Sequence, residues 1–139
     1  MKRNNQIVGN VGLYFTCHKL SLLGWNVMPT SRNARGIDIV AYRGISPQFL
    51  GIQVKTLSNR AAVSLGASLD KLMGDLWVIR NKIATDEPNV FIMTLEEVKR
   101  LATRNEKEGQ ASYWLEPKDY DTDEFRDAWH HFRCDDEMA

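Results

Sequence analysis

The sequence is poor in the residues that build specialised scaffolds. It has two cysteines, four prolines and nine glycines in 139 residues, too few for a disulfide-stapled, collagen-like or low-complexity chain. Cys17 and Cys134 lie far apart without a C-x-x-C, which predicts a reduced, intracellular protein. No apolar run approaches the ~20 residues of a membrane span. Met1-Lys2-Arg3-Asn4-Asn5-Gln6 leads into no short apolar core, so no secretory signal is expected and the chain reads as cytoplasmic. Also missing are a G-x-S-x-G elbow, a P-loop, a dinucleotide fingerprint and an H-E-x-x-H pair, so no nucleotide cofactor is expected. His130, His131, Cys134, Asp135 and Asp136 carry ligand-type atoms, but their spacing fits no zinc pattern.

What remains is 43% hydrophobic and 26% charged. That balance predicts one domain over residues 1–139, with a core over about 6–104 and a C-terminal strand and helix over about 111–133. The zero net charge conceals an asymmetry. Residues 1–65 hold eight bases (Lys2, Arg3, Lys19, Arg32, Arg35, Arg43, Lys55 and Arg60) and a single acid, Asp38, whereas the rest is formally −7. A basic half of this kind suits a polyanion.

Apolar residues at helical spacing from Gln6 to Leu23, closed by Gly24, predict an amphipathic helix in which Gly9 and Gly12 mark close packing. Trp25–Pro29, Ile37–Arg43 and Phe49–Thr56 read as three antiparallel strands, with a turn at Gly44–Gln48. Residues 57–66 read as an irregular loop, and Ser68–Met73 as one or two helical turns. Leu76–Arg80 and Asn89–Met93 read as buried strands, and Thr94 with Glu97 as a capping box opening a helix to about Ala102. Ser112–Leu115 reads as a strand, and Asp121 opens a final helix through Phe132. The four tryptophans read as core. The expected fold class is α/β, a central mixed sheet flanked by helices.

The chemistry concentrates on the second and third strands. Gln53 and Lys55 share one strand face. The midpoint between Asp38 and Gln53 falls in the turn, so the two lie level if the strands pair. One carboxylate, one amide and one ammonium then converge among apolar neighbours, where each is costly without a partner. Asp38, the Gln53 side-chain oxygen and the Val54 carbonyl offer the oxygen set of a hard cation, Mg²⁺ or Mn²⁺. Lys55 could orient a water or offset developing charge during phosphodiester hydrolysis. The same residues also allow a plain ion pair of Asp38 with Lys55 or Arg35.

Gly36-Ile37-Asp38-Ile39-Val40 followed by Ile52-Gln53-Val54-Lys55-Thr56 resembles the PD-(D/E)xK nuclease superfamily. The similarity is greatest to its small stand-alone endonucleases, the archaeal Holliday-junction-resolvase-like group. The lead-in helix through Leu20 and the Gly24-Trp25-Asn26-Val27 step match that pattern. The resemblance follows the element order over about residues 7–104 and is specific over about 20–57. It implies a restriction-endonuclease-like αβββαβ core, Asp38 as metal ligand and Lys55 as catalytic lysine. Two positions depart from the pattern. Gln53 stands where relatives usually carry Glu or Asp, and Leu13 where many place a helix Glu, with Asn10 the nearest polar alternative.

The expected function is a divalent-metal-dependent DNA endonuclease acting on branched or structured DNA, working as a homodimer because two strands need two sites. The catalytic set is Asp38, Gln53 and Lys55, and the metal set is Asp38, Gln53 and Val54. Arg32, Asn33 and Arg35 on the loop before Asp38 are expected to contact phosphates, with Lys19, Ser58 and Arg60 as further candidates. The alternative is a catalytically impaired nuclease-fold module that binds nucleic acid or a protein partner without cleaving.

Overall fold

The computed structural model describes residues 4–31, 36–44 and 48–133. Helix α1 spans Asn5–Leu22, with the Asn4 side chain accepting from the Gln6 and Ile7 amides at its start. Strands β1 (Asn26–Pro29), β2 (Ile39–Arg43) and β3 (Gln48–Thr56) follow as an antiparallel meander. The chain then forms β4 (Val63–Gly66) and a single 3-10 turn at Leu69–Lys71 before entering β5 (Leu76–Asn81). β5 lies parallel to β3, and β6 (Asn89–Thr94) returns antiparallel at its side. The main sheet is thus mixed, in the order β1-β2-β3-β5-β6.

β5 lies between β3 and β6, and its burial is nearly continuous, as expected of a strand covered on both faces. Alternate residues divide between two cores. Leu76, Val78, Val90 and Ile92 join Leu20, Trp25, Ile39, Ile52 and Phe132 on the α1 side. Trp77, Ile79, Phe91 and Met93 join Val63, Leu65, Val98, Leu115 and Tyr120 on the other. A second sheet, β4-β8-β7, covers that other side, with β7 at Thr103–Lys107 and β8 at Gln110–Leu115. Helix α2 (Leu95–Leu101) carries the expected capping box: the Thr94 side chain accepts from the Glu97 amide, and the Glu97 carboxylate accepts from Thr94. Among the described residues no helix is long and apolar enough to cross a membrane.

Three expectations require correction, and one strand lies where none was expected. Residues 57–66 are not wholly irregular, because Val63–Gly66 pairs with β8. Thr103–Lys107 is a strand although it shows no alternation, being exposed throughout; backbone pairing with β8 alone defines it. The expected helix from Asp121 does not form. Helix α3 occupies Pro117–Tyr120 and a 3-10 turn occupies Trp129–Phe132. Between them the chain is captured by β6: Ile92 N–H donates to the Phe125 carbonyl and Asp127 N–H to the Val90 carbonyl. Finally, of the two helix glycines only Gly12 is a contact point. A Cβ there would overlap the Thr56 side chain, whereas one on Gly9 would meet nothing. Trp25, Trp77 and Trp129 are buried as expected, and Trp114 is half-buried.

Candidate active site

β2 begins at Ile39 opposite Ile52, so β3 runs on past its partner from Gln53 to Thr56. The main-chain groups of β3 on that side lose their ladder where β2 turns away. Asp38, the residue before β2, makes good the loss. Its amide donates to the Ile52 carbonyl at 2.8 Å, and its carboxylate Oδ2 accepts the Val54 N–H at 2.7 Å. The turn into β2 is fixed by Thr30, whose hydroxyl donates to the Ile37 carbonyl at 2.6 Å and whose amide donates to the Asp38 carbonyl at 2.9 Å. The carboxylate therefore sits at a fork in the sheet, held by backbone on both sides. The register continues the pairing expected from the sequence and sets Asp38 level with Gln53.

Ile52 and Val54 face the α1-side core, so Gln53 and Lys55 project from the opposite face of β3. Gln53 Oε1 is buried and has no hydrogen-bond partner among the described residues. Gly74 closes over the Gln53 backbone, and a Cβ there would lie 3.4 Å from the Gln53 amide nitrogen. The Lys55 ammonium lies 5.7 Å from the Trp77 ring centroid. Trp77 is the partner of Gln53, not of Lys55, so the lysine leans back toward the level of Asp38. Burial holds its pKa below the ordinary lysine value, while the Asp38 charge acts in the opposite direction. No salt bridge joins Asp38 and Lys55 among the described residues.

On the α1 side of the fork lies a cavity of about 240 Å³. Gln6, Gly9, Asn10 and Leu13 line it from α1, Thr30 and Ser31 from the end of β1, and Asp38 and Val54 form its inner wall. Gln6, Asn10 and Leu13 recur at helical spacing, the signal that could have placed Gln6 beside the site; Gln6 and Thr30 escaped the sequence reading. Among the described residues no group of three His, Cys, Asp or Glu side chains is placed to hold a metal. The donor set at the fork is instead one carboxylate, an unpartnered amide oxygen and main-chain carbonyl groups. These are all hard oxygens, which fit Mg²⁺ or Mn²⁺ in chemistry and offer little negative charge.

No protein-family model matches the chain, and no curated protein matches it by sequence. A solved structure does match in fold: a bacterial homing endonuclease, I-Ssp6803I, with a TM-score of 0.59 over 93% of each chain at 14% sequence identity. The fold is restriction-endonuclease-like. In this fold αβββαβ corresponds to α1, the β1–β3 meander and β5, with the connecting helix reduced here to the turn at Leu69–Lys71.

The other expected site residues scatter. Arg32, Asn33 and Arg35 lie outside the described residues, as do Lys2, Arg3, Cys134, Asp135 and Asp136. Ser58 lies past the end of β3, its carbonyl accepting from the Ala84 amide. Arg60 donates to Asp121 at 2.8 Å. The Lys19 ammonium sits 5.5 Å from the Trp129 ring centroid, toward the far end of α1. The His130 and His131 rings lie against each other, centroids 4.4 Å apart.

Proposed function

We propose that this protein is a divalent-metal-dependent DNA endonuclease that hydrolyses phosphodiester bonds in branched or structured DNA as a homodimer. The observation that carries the reading is the fork: a backbone-fixed Asp38 carboxylate level with an unpartnered, buried Gln53 oxygen, and a desolvated Lys55 leaning toward both. The likeness in fold to a homing endonuclease supports the same class.

Asp38, Gln53 Oε1 and the Val54 carbonyl would hold the cation. When bound, Mg²⁺ supplies Lewis acidity toward the phosphoryl oxygen and lowers the pKa of a ligated water. Asp38 is oriented for this by Val54 N–H, which occupies one carboxylate oxygen and leaves the other free. A cation would give the buried Gln53 oxygen the partner it lacks among the described residues, offsetting a cost of about 1–3 kcal/mol. Lys55 would orient the attacking water and offset the negative charge that develops on the phosphoryl oxygens, and its partly desolvated ammonium would act more strongly than a solvated one.

A second reading has an observation of its own in favour. Leu13 lines the cavity where many nuclease relatives place a carboxylate, and Gln53 is neutral. A fold so altered could bind DNA without cutting it. One experiment separates the two: incubation of linear, supercoiled and four-way-junction DNA with Mg²⁺ or Mn²⁺, with and without chelator, for the wild type and Asp38→Ala. The endonuclease cuts only with metal and only with Asp38 present. The binding module shows salt-dependent affinity that survives Asp38→Ala and no cleavage.

A further inference from the structure

The second sheet covers only part of the main one. Its core takes Trp77 and Ile79 from β5 and Phe91 and Met93 from β6, and nothing from β1, β2 or β3. Val27, Ala41, Leu50 and Ile52 turn to the α1 side, so Met28, Tyr42 and Phe49 point the other way. Two of these stay uncovered: Phe49 is 58% exposed and Met28 44%, with Met73, just before β5, at 46%. Single exposed apolar residues are ordinary, but a group on one sheet face marks a contact surface.

The face is organised around two rings. Tyr42 and Phe49 pair directly across β2 and β3, their centroids 5.6 Å apart and their planes inclined by 32°. Phe49, Gln53 and Lys55 share one face of β3, which sets the Phe49 ring about 13 Å along the strand from Gln53. That is the length of about four stacked nucleotides at roughly 3.4 Å each. β1, β2 and β3 contain Arg43 and Lys55 and no carboxylate, and the Asp75 carboxylate at the border accepts the Gly51 amide at 2.7 Å. Like charge opposes a contact of this face with its own copy, whereas it suits a polyanion. Exposed rings offer a phosphate nothing, but every base has an apolar face that stacks on them. Bases within a duplex are already stacked and must be pulled out at a cost, so unpaired bases fit best. Resting on the endonuclease reading, we infer that Tyr42 and Phe49 form a stacking platform for unpaired bases flanking the phosphate at the fork. The platform makes DNA with unpaired arms the preferred substrate over plain duplex.

Binding in chelator reads this preference without turnover. Fluorescence anisotropy compares a forked duplex with unpaired arms against the fully paired duplex of the same sequence. The wild type prefers the fork about tenfold, within what one base stacked on an aromatic ring contributes. Phe49→Leu keeps the apolar bulk without the ring: the preference falls toward one, while duplex affinity and melting temperature match the wild type. Phe49→Trp retains the preference. A fluorescent base analogue in the unpaired arm is quenched on binding by the wild type and not by Phe49→Leu. Equal wild-type affinity for fork and duplex, or an undiminished preference in Phe49→Leu, overturns the platform; the endonuclease reading still stands if metal-dependent cleavage is lost in Asp38→Ala. Sedimentation that shifts from dimer to monomer in Phe49→Leu assigns the face to a second copy and overturns the platform as well. A wild type that neither binds nor cuts either DNA sinks both readings.

Discussion

The Val54 amide, which has no β2 partner, donates its hydrogen bond to the Asp38 carboxylate at 2.7 Å. One side chain thus closes the sheet ladder and faces the cavity at once. Its two duties are separable by substitution. Asp38→Asn keeps an oxygen acceptor for Val54, so its stability should match the wild type within about 0.5 kcal/mol, while metal-dependent cleavage falls at least about a hundredfold. Asp38→Ala should lose cleavage equally and also about 1–2 kcal/mol of stability, because a β3 amide is left without its acceptor. Chemical denaturation with a nuclease assay checks both; equal stability of the two variants would contradict the bridging role.

Gln53→Glu places an acid where the proposed metal set has a neutral amide. Without cation it buries a carboxylate where Oε1 now has no partner, which should lower the melting temperature. Mg²⁺ should recover that loss and stabilise the variant more than it stabilises the wild type. Thermal melts across a Mg²⁺ series report the difference, and a variant indifferent to Mg²⁺ would remove Gln53 from the metal set.

Lys55 gives a pH dependence. Burial lowers its pKa, with Asp38 only partly opposing. Between the folded and unfolded pKa values the unfolded chain therefore binds more protons, and stability rises with pH there. The cost of the buried ammonium is fully present below the folded value and is relieved as pH climbs toward the ordinary lysine range near 10.4. Lys55→Met should abolish cleavage and be at least as stable as the wild type at pH 7. Its advantage should shrink as pH rises above the folded pKa. Paired urea titrations from pH 7 to 10 test the sign.

Asp121 gives the opposite sign. Burial pushes its carboxyl up, but hydrogen bonds from Arg60 and Arg126 and their charges overcome this and hold it below the usual value. Its stabilisation is therefore present above the unfolded pKa and lost as pH falls through the folded one. Asp121→Asn should cost about 1 kcal/mol at pH 7, a modest figure because both arginines are roughly half exposed. The cost should shrink progressively as pH falls below the ordinary aspartate value near 3.9. If Asp121→Asn shows an undiminished deficit in acid, the ion pairs are not its source.

The glycines of α1 make a paired test of packing. Gly12→Ala drives a methyl into Thr56, on the strand next to the site, and should cost about 1–3 kcal/mol. Gly9→Ala meets open space and should gain up to about 1 kcal/mol from helix propensity. Thermal denaturation of both variants suffices.

Much of this arrangement was legible in the residues themselves. The β2–β3 register, and with it the pairing level of Asp38 and Gln53, follows from a turn at the midpoint between them and from strict alternation along Ile52-Gln53-Val54-Lys55. The Thr94–Glu97 capping box and the buried β5 and β6 follow from local chemistry of the same short range. These features share one cause: period and capping are properties of neighbouring residues. β7 and the segment after Tyr120 lacked such a signal. Thr103–Lys107 is polar on both faces, so nothing but a partner strand makes it extended. Asp121–Phe132 has helical composition and is overruled by backbone bonds to Val90 and Ile92.

The site divides in the same way. Sequence alone determined that the Asp38 carboxylate and the Gln53 amide share one level of the sheet and that Lys55 lies on the Gln53 face. Only the tertiary structure decided that β2 leaves β3 at Asp38, that Gln53 Oε1 is buried without a partner, and that Asn10 and Gln6 of α1 wall the cavity beyond. Those outcomes depend on how helix and sheet pack across sequence separations of tens of residues, where the burial of apolar surface, not local preference, sets the geometry.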